Sequence, residues 1–193
     1  MKGDARANDG VKINVIVAMM DHNNGIGINN QLPWPKIRTD YEYYTGLTQR
    51  VTKPGNVCIN MKGRLTFESS GEQERMNPLR HNVVISSTLK ECPKGVGFIA
   101  PSFDAAIEYA SEYANAESIW VMGGYSVYKR ALQSPLCHRV HLTRIFHKAE
   151  ADAFFPIDCL EPSIYKKIDL PEVPSDLIKE NGVEYQFEVY ERR

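Results

Sequence analysis

The sequence has few cysteines, and they are not spaced for metal binding or redox chemistry. Its four cysteines are Cys58, Cys92, Cys137 and Cys159. No two of them form a Cys-x-x-Cys motif, which argues against a zinc ribbon or a thioredoxin-like site. The amino terminus has no apolar segment after a basic start, so it does not read as a secretory signal. We therefore expect four reduced thiols and a cytoplasmic protein.

Long hydrophobic runs and an excess of one charge are also missing. The longest apolar run, residues 13–20, is far shorter than the roughly 20 residues that a membrane-spanning helix needs. The net charge of −1 creates no global field that would attract nucleic acid or an anionic membrane. With 193 residues, 42% hydrophobic and 24% charged, the composition predicts one globular domain over residues 13–193 after a flexible tail, residues 1–12.

The common nucleotide-binding fingerprints are absent. Neither Gly-x-Gly-x-x-Gly nor Gly-x-x-x-x-Gly-Lys-Ser/Thr occurs. However, Gly123 and Gly124 follow an apolar run and precede a helical pattern, which would bring backbone close to a pyrophosphate. Gly63 follows a second apolar run, 57–61, and is a weaker signal of the same kind. Ser86 and Ser87 end a third run and could bind a phosphate, although such hydroxyls more often cap a turn.

A metal site is not expected either. His138 and His141 are three residues apart, a spacing that suits a metal on a helix. The alternation of residues 138–146 predicts a strand instead, on which the two rings point to opposite faces. We therefore predict no metal.

The hydrophobic pattern predicts an α/β fold. Strand-like apolar runs alternate with helical patterns such as residues 102–110. Two late strands, 163–170 and 183–190, lack a helix between them, which favours an antiparallel hairpin. We predict a central, mostly parallel twisted sheet with helices on both faces and a C-terminal antiparallel hairpin. Residues 71–78 read as a surface loop.

Residues 25–35 stand out as a shaped loop. Two glycines and two prolines in eleven residues argue against a strand or a helix. The loop carries a leucine and Trp34, which indicates that it covers or lines something. Pro35 is predicted in the first turn of a helix over 36–49. On that helix Asp40 shares a face with Tyr44; a helical acid facing water is the more frequent pattern, and an acid facing an apolar site is the alternative.

Together and in this order, these segments resemble the dihydrofolate reductase family. The resemblance covers about residues 13–191. It is carried by residues 25–27, 32–35, 40, 63–69, 78–80, 121–128, 143–145, 152–156 and 185–190. It implies a monomer that reduces 7,8-dihydrofolate to tetrahydrofolate with NADPH, supporting one-carbon metabolism and thymidylate synthesis. Dihydrofolate and antifolates would be its ligands, with no nucleic acid or membrane partner. A reductase of riboflavin synthesis and a non-catalytic folate- or nucleotide-binding module are the alternatives.

The resemblance also implies a set of site residues. Those implied in catalysis are Trp34, Asp40 and Thr143. Those implied at the substrate are Ile16, Val17, Asp40, Tyr41, Tyr44, Leu79, Arg80, Met122, Tyr128 and Thr143. Those implied at the cofactor are Ala18, Ile26, Gly27, Gly63, Arg64, Leu65, Thr66, Ser86, Ser87, Gly123, Gly124, Tyr125, Ser126 and Val127.

The chemistry of the ligands explains several of these roles. Asp40 would accept two adjacent N–H groups of the pteridine, and a water positioned near Trp34 would protonate N5. Arg80 would bind the α-carboxylate of the glutamyl tail through its planar fork of donors, the alternative being a surface charge. The resemblance further implies a cis peptide between Gly123 and Gly124. Two departures are visible: Lys62 looks like an extra residue, and Ser87 stands where the family often has arginine, which weakens the expected 2′-phosphate site.

Overall fold

The computed structural model describes residues 11–193. The strands are β1 (Ile13–Met20), β2 (Gly25–Gly27), β3 (Val57–Gly63), β4 (Arg80–Ile85), β5 (Phe98–Ala100), β6 (Ala116–Val121), β7 (Cys137–Phe146), β8 (Ala153–Phe154), β9 (Tyr165–Ile168), β10 (Ile178–Glu180) and β11 (Val183–Arg192). The helices are α1 (Arg38–Thr48), α2 (Arg64–Ser69), α3 (Glu72–Arg75), α4 (Phe103–Glu112) and α5 (Tyr125–Gln133), with a 3₁₀ turn at Ile157–Cys159.

Nine of these strands form one mixed sheet. Its order is β10-β11-β7-β1-β6-β3-β4-β5, and β9 also pairs with β11. All pairs from β7 to β5 are parallel, whereas β11 runs antiparallel to β7, β9 and β10. The predicted α/β class, with a mostly parallel sheet and an antiparallel C-terminal part, is confirmed.

Alternate residues of β1 pack on opposite faces of the sheet. Val15 and Val17 belong to the main core cluster, which includes residues of α4 and α5. Ile16 belongs to a second cluster with Trp120 and Met122, against which residues of α1 pack. Because both faces are covered, β1 is apolar almost throughout. The side of the sheet that carries α1 is called the α1 face below.

Two expectations around residues 25–35 are wrong. Gly25–Gly27 forms the short strand β2, which pairs with β8, so part of the predicted loop is ordered by a partner about 125 residues further along the chain. Pro35 lies outside α1, which begins at Arg38 after an extended Ile37. The Glu180 carboxylate accepts hydrogen bonds from the first helical N–H groups of α1, so the helix begins where that distant cap binds.

Lys62 continues β3 opposite Val84, with no irregularity in the pairing with β4. One further expectation is wrong between β3 and β4. Residues 71–78 are not only a surface loop, because they include α3, and Glu74 turns inward to two cations. A polar segment can fold inward when buried charges receive it.

Three remaining points concern the whole chain. The four cysteines are unpaired, as expected. None of the helices within residues 11–193 is long and apolar enough to cross a membrane. Most of the predicted flexible tail, residues 1–10, lies outside the described residues, and Val11 packs against the main core cluster.

Candidate active site

The parallel strands β1, β6 and β3 are neighbours in the sheet, so their carboxyl ends lie side by side. Ligands of open α/β sheets bind beyond the carboxyl ends of the strands. Residues from all three strand ends contribute to this region, as do α1, β7 and the loop that includes β2.

Asp40 is half-buried in the first turn of α1. Burial raises the pKa of its carboxyl group, a hydrogen bond with the Thr143 side chain lowers it, and the charge of Glu180 raises it, with a net increase. Thr143 is only 2% exposed and lies beside Ala18 in the pairing of β1 and β7. No cation among the described residues contributes to the shift. The carboxylate is therefore poorly solvated and keeps acceptor capacity for a ligand.

The beginning of α1 is fixed by a residue that the sequence did not reveal. Ile37 at the N-cap offers no side-chain hydrogen bond. Instead, Glu180 of β10 accepts hydrogen bonds from the backbone N–H groups of Arg38, at 2.6 Å, and of Thr39, at 3.2 Å. A carboxylate also suits the positive end of the helix dipole. Glu180 thus holds the helical turn that carries Asp40.

A buried histidine of β7, two residues before Thr143, lies on the α1 face. His141 shares a 2.7 Å hydrogen bond between its Nδ1 and the Tyr43 hydroxyl, and its ring packs edge-on against Trp120. Burial lowers the pKa of His141 to about 4, so the ring is neutral at pH 7. Burial, followed by the charge of Asp40, raises the pKa of Tyr43. Tyr43 and His141 are therefore both uncharged at pH 7.

Three predicted substrate residues come together between the middle of β1 and the end of β6. The buried Tyr128 hydroxyl donates a 2.8 Å hydrogen bond to the Ile16 carbonyl oxygen. Met122 packs with Ile16 in the same apolar cluster. Val17 is different, because its side chain lies in the main core on the opposite face. Only the backbone of Val17 could reach a ligand on the α1 face.

The loop over residues 25–35 is anchored at both ends. Trp34 is 5% exposed and packs with Met20 and Ile37. At the other end, β2 pairs with β8, and the Gly27 carbonyl oxygen accepts a 3.0 Å hydrogen bond from the Asp152 N–H. Between these anchors the chain turns outward. The loop therefore has a fixed base and an exposed tip.

The tip of this loop is a tight turn. Ile28 and Gln31 exchange backbone hydrogen bonds of 2.9 Å around Asn29 and Asn30, both of which have positive φ. Leu32 follows, with 61% of its surface exposed. Asparagine adopts positive φ more readily than most residues, which explains its repeated use here. An exposed leucine at this position is available to contact a ligand or to cover one.

The glycine pair near α5 adopts the predicted geometry. The Gly123–Gly124 peptide is cis. Gly123 has φ of +115°, and a Cβ there would lie 3.2 Å from the Tyr128 ring, so a side chain would be strained and crowded. The Gly123 carbonyl oxygen accepts a 2.7 Å hydrogen bond from the Gly63 N–H. The starts of α2 and α5 are thereby brought together.

The other predicted cofactor residues near the starts of α2 and α5 differ in their exposure to solvent. Leu65 and Tyr125 are exposed, as is Ser126, whereas Val127 is buried in the core. Thr66 lies close to Gly124, since a Cβ on Gly124 would be 3.5 Å from the Thr66 Oγ1. Ile26 is partly buried against the main core.

Two predicted phosphate ligands are already engaged within the protein. Arg64 donates hydrogen bonds of 2.9 and 3.0 Å to both carboxylate oxygens of Glu68, one turn later on α2. The Ser86 Oγ accepts hydrogen bonds from the N–H groups of Thr88 and Leu89, which is the turn-capping role. Ser87 is exposed beside it.

Arg80, the predicted tail-binding residue, is buried and contacts the last residue of α1. Two other predicted substrate residues, Tyr41 in the first turn of α1 and Leu79 just before β4, are exposed. Arg80 donates a 2.7 Å hydrogen bond to the Thr48 Oγ1, and its guanidinium carbon lies 5.1 Å from the centre of the Tyr44 ring. Arg80 is therefore not a surface charge. It also pairs with Glu74, at 3.1 Å.

Comparison with known proteins gives consistent results. The family model described as dihydrofolate reductase matches residues 12–192. Similar proteins include the dihydrofolate reductase of Bos taurus, 41% identical over 93% of this chain and 97% of that protein, and that of Gallus gallus, 37% identical over 93% and 96%. A solved structure of Schistosoma mansoni dihydrofolate reductase superposes with a TM-score of 0.80 at 34% identity, covering 95% of this chain and 99% of the other.

Proposed function

The chain belongs to the dihydrofolate reductase family, and we propose that it catalyses the NADPH-dependent reduction of 7,8-dihydrofolate to 5,6,7,8-tetrahydrofolate. The observation that carries this proposal is the position of Asp40, a half-buried carboxylate with no cationic partner among residues 11–193. It lies on the α1 face, within reach of the Thr143 side chain of β7. Such a group is costly to keep ionised unless a ligand supplies hydrogen-bond donors.

Asp40 and its neighbours would orient the pteridine ring. The ring presents adjacent N–H donors, and one carboxylate can accept two of them in parallel. The Ile16 carbonyl oxygen, which already accepts from the Tyr128 hydroxyl at 2.8 Å, has a second lone pair for the exocyclic amine. Thr143 would bridge Asp40 and that amine through water. These contacts fix which edge of the ring faces the strand ends.

The protein's own residues would also control the proton that N5 receives. Trp34 would position an ordered water near Asp40, since its indole is held rigidly in a core cluster. The loop tip with Leu32 would close over the ring and limit the entry of further water. Asp40 would accept hydrogen bonds from the N–H groups of the pteridine, and this would favour protonation of N5. Uncontrolled solvent would compete for the same hydrogen bonds.

The region around Gly123 and Gly124 fits a nicotinamide dinucleotide. When bound, NADPH supplies the hydride that is added to C6 of dihydrofolate. The first turn of α5 follows Gly124 without a capping side chain among the described residues, so its N–H groups would hold the pyrophosphate. Thr66 would add a hydroxyl beside it, 3.5 Å from the position of a Cβ on Gly124.

The preference for NADPH over NADH depends on a 2′-phosphate site with few ligands. Arg64 and Ser86 would contact the 2′-phosphate, after Arg64 exchanges Glu68 for the ligand. Because exposed ion pairs of this kind are weak, that exchange costs little. Ser87→Arg should increase the NADPH preference several-fold, measured as the ratio of kcat/KM for the two cofactors. A ratio that stays constant would place the 2′-phosphate elsewhere.

We extend the proposal to the state of the protein. The chain acts as a monomer in the cytoplasm, where its four unpaired thiols suit a reducing environment. Light scattering of the purified chain tests the first point, since a dimer would have twice the mass of 21.9 kDa. Cell fractionation tests the second.

The decisive experiment is a turnover assay. The purified protein should consume NADPH, followed at its nicotinamide absorbance band, only when dihydrofolate is added. Product analysis should give tetrahydrofolate in equal amount. Binding of dihydrofolate without any NADPH consumption would instead identify a non-catalytic folate-binding module.

A further inference from the structure

A buried charge cluster lies on the α1 face beyond Asp40. The Lys62 ammonium, at the end of β3, is 3.3 Å from the Glu74 Oε1. The Arg80 guanidinium, at the start of β4, is 3.1 Å from the same oxygen. The Tyr44 hydroxyl donates a hydrogen bond to it as well. One carboxylate of α3 thus receives two cations and a hydroxyl.

The cluster has one positive charge too many. Lys62 and Arg80 each contribute one positive charge, and Glu74 contributes the only acidic group contacting either of them among the described residues. Burial raises the pKa of Glu74, but Lys62, the Tyr44 hydroxyl and Arg80 together lower it further, so Glu74 is ionised at pH 7. A second carboxylate would therefore be attracted to this site.

Glu74 separates the two cations from solvent. The side chains of Lys62 and Arg80 are each 1% exposed, whereas that of Glu74 is 14% exposed. Water or a ligand therefore reaches the cluster from the Glu74 side. An anion can approach Arg80 closely only if it shares the site with Glu74 or replaces it.

The cluster is aligned with Asp40 along α1. Asp40, Tyr44 and Thr48 follow one another at intervals of four residues, so they lie on one face of the helix. Tyr44 contacts Glu74, and Thr48 contacts Arg80. One helical turn rises about 5.4 Å, which places the cluster about one to two turns from Asp40. A ligand anchored at Asp40 and extended along α1 would bring its far end here.

We propose that Glu74 is a specificity-determining residue. Its carboxylate competes with the substrate for the cations Lys62 and Arg80. It thereby sets how strongly the enzyme prefers substrates that carry a tail carboxylate. This rests on the proposed function, because the substrate tail supplies the competing group. The tail carboxylate displaces Glu74 from Arg80, and Lys62 retains Glu74 or the incoming carboxylate. Ligands with a tail carboxylate then bind more tightly than ligands without one, but by a smaller factor than if Glu74 were absent.

Equilibrium binding of two matched ligands tests this proposal. Folate carries the glutamyl tail, and a pteroyl N-methylamide has a methyl group in its place. The readout is the ratio of their dissociation constants by calorimetry, methylamide over folate. In Glu74→Gln this ratio should rise about tenfold, because folate no longer competes with a carboxylate. Glu72→Gln, two residues earlier on α3 and largely exposed, is the matched control and should leave the ratio unchanged.

Two further variants keep the test decisive. Lys62→Met should lower the ratio several-fold, because Glu74 then neutralises Arg80 completely. Lys62→Met/Glu74→Gln removes one charge of each sign and frees Arg80, so it serves where Glu74→Gln alone does not fold. Its ratio should be at least that of the wild type.

The outcomes separate this inference from the proposed function. The role of Glu74 would be overturned if the ratio in Glu74→Gln were unchanged or fell below the wild-type value. It would also be overturned if the ratio in the double variant fell below the wild-type value. Failure of the wild-type protein to bind either ligand would instead overturn the proposed function.

Discussion

Two carboxylates on the α1 face have opposite environments. Asp40 is half-buried beside Thr143, with no cation among the described groups that shift its pKa, and burial raises that pKa. Glu74 lies near Tyr44, one turn further along α1, and contacts Lys62 and Arg80, which help to lower its pKa. The protein therefore leaves one carboxylate without a charged partner and supplies the other with two.

This difference separates the roles of the two acids. A carboxylate without a charged partner retains acceptor capacity for a ligand, at a cost in folding free energy. A carboxylate with two cations is stabilised by its own chain, and a ligand must compete with it. Asp40 is thus the group that recognises the ring, whereas Glu74 limits access to the cations. Four predictions test this contrast, beginning with the largest effect.

Asp40→Asn should lower kcat by about 100-fold or more at neutral pH, because the amide cannot accept two N–H groups and does not favour protonation of the substrate. The loss should be smaller at acid pH, where more of the substrate is already protonated. Steady-state kinetics across pH 5–9 measures both. Glu42→Gln, an exposed acid on the same helix, is the control and should retain turnover. Equal turnover of Asp40→Asn and wild type would remove Asp40 from the mechanism.

Arg80→Leu should weaken folate binding by about 10- to 100-fold, the range expected for loss of a charged hydrogen bond. Binding of the pteroyl N-methylamide should change little, because that ligand has no tail carboxylate. Arg38→Leu removes an exposed arginine of α1 and is the matched control. Equal losses for both ligands would show that Arg80 supports the fold and not the tail.

The two acids should have opposite effects on the stability of the ligand-free protein. The pKa of Asp40 is raised on folding, so its ionised form destabilises the native state above that pKa, and Asp40→Asn should increase the free energy of unfolding at pH 7 by about 1 kcal/mol. The pKa of Glu74 is lowered, so its ionised form stabilises the native state. Glu74→Gln should reduce the free energy of unfolding by about 3 kcal/mol at pH 7.

The pH dependence follows from the same signs. The deficit of Glu74→Gln should be full above about pH 5 and shrink as the pH falls through the lowered pKa of Glu74, because the wild-type side chain then becomes neutral too. The gain of Asp40→Asn should be full above the raised pKa of Asp40, shrink as the pH falls through it, and disappear only below the pKa that Asp40 has in the unfolded chain. Urea unfolding at several pH values measures both. Changes of the same sign at pH 7 would contradict the contrast.

Tyr44→Phe should have the smallest effect. It removes the hydroxyl that donates to Glu74, which should cost about 1 kcal/mol of stability and raise the pKa of Glu74. Tyr41→Phe, on an exposed ring, is the control. If thermal unfolding of the two variants is indistinguishable, the hydroxyl contributes nothing to the cluster.

The order of strands and helices could be predicted from the sequence because it depends on local patterns. The apolar run of β1 and the capped pattern of α4, in which Ser102 accepts a hydrogen bond from the Ala105 N–H, both appear where predicted. The short strand β2 and the start of α1 were missed. Both depend on partners that are distant in the sequence, β8 and Glu180, and no local sequence pattern indicates these partners.

The predicted site residues divide in the same way. The resemblance indicated Asp40, Arg80 and the cis Gly123–Gly124 peptide, and the last of these is present in the structure. The partner of Arg80 was missed, because Glu74 lies in a polar segment that resembles an ordinary surface loop. Lys62 was the available signal: a lysine inside a largely apolar strand requires a buried counter-ion.

Titration of the two carboxyl groups by carbon-detected NMR in the ligand-free protein tests the contrast most directly. The structure predicts that Asp40 titrates at higher pH than an aspartic acid of an unfolded chain, and that Glu74 titrates at lower pH than a glutamic acid of an unfolded chain. Observation of Asp40 below its unfolded-chain pKa, or of Glu74 above its own, would contradict the assignment of one carboxylate to the ligand and the other to the protein's own cations.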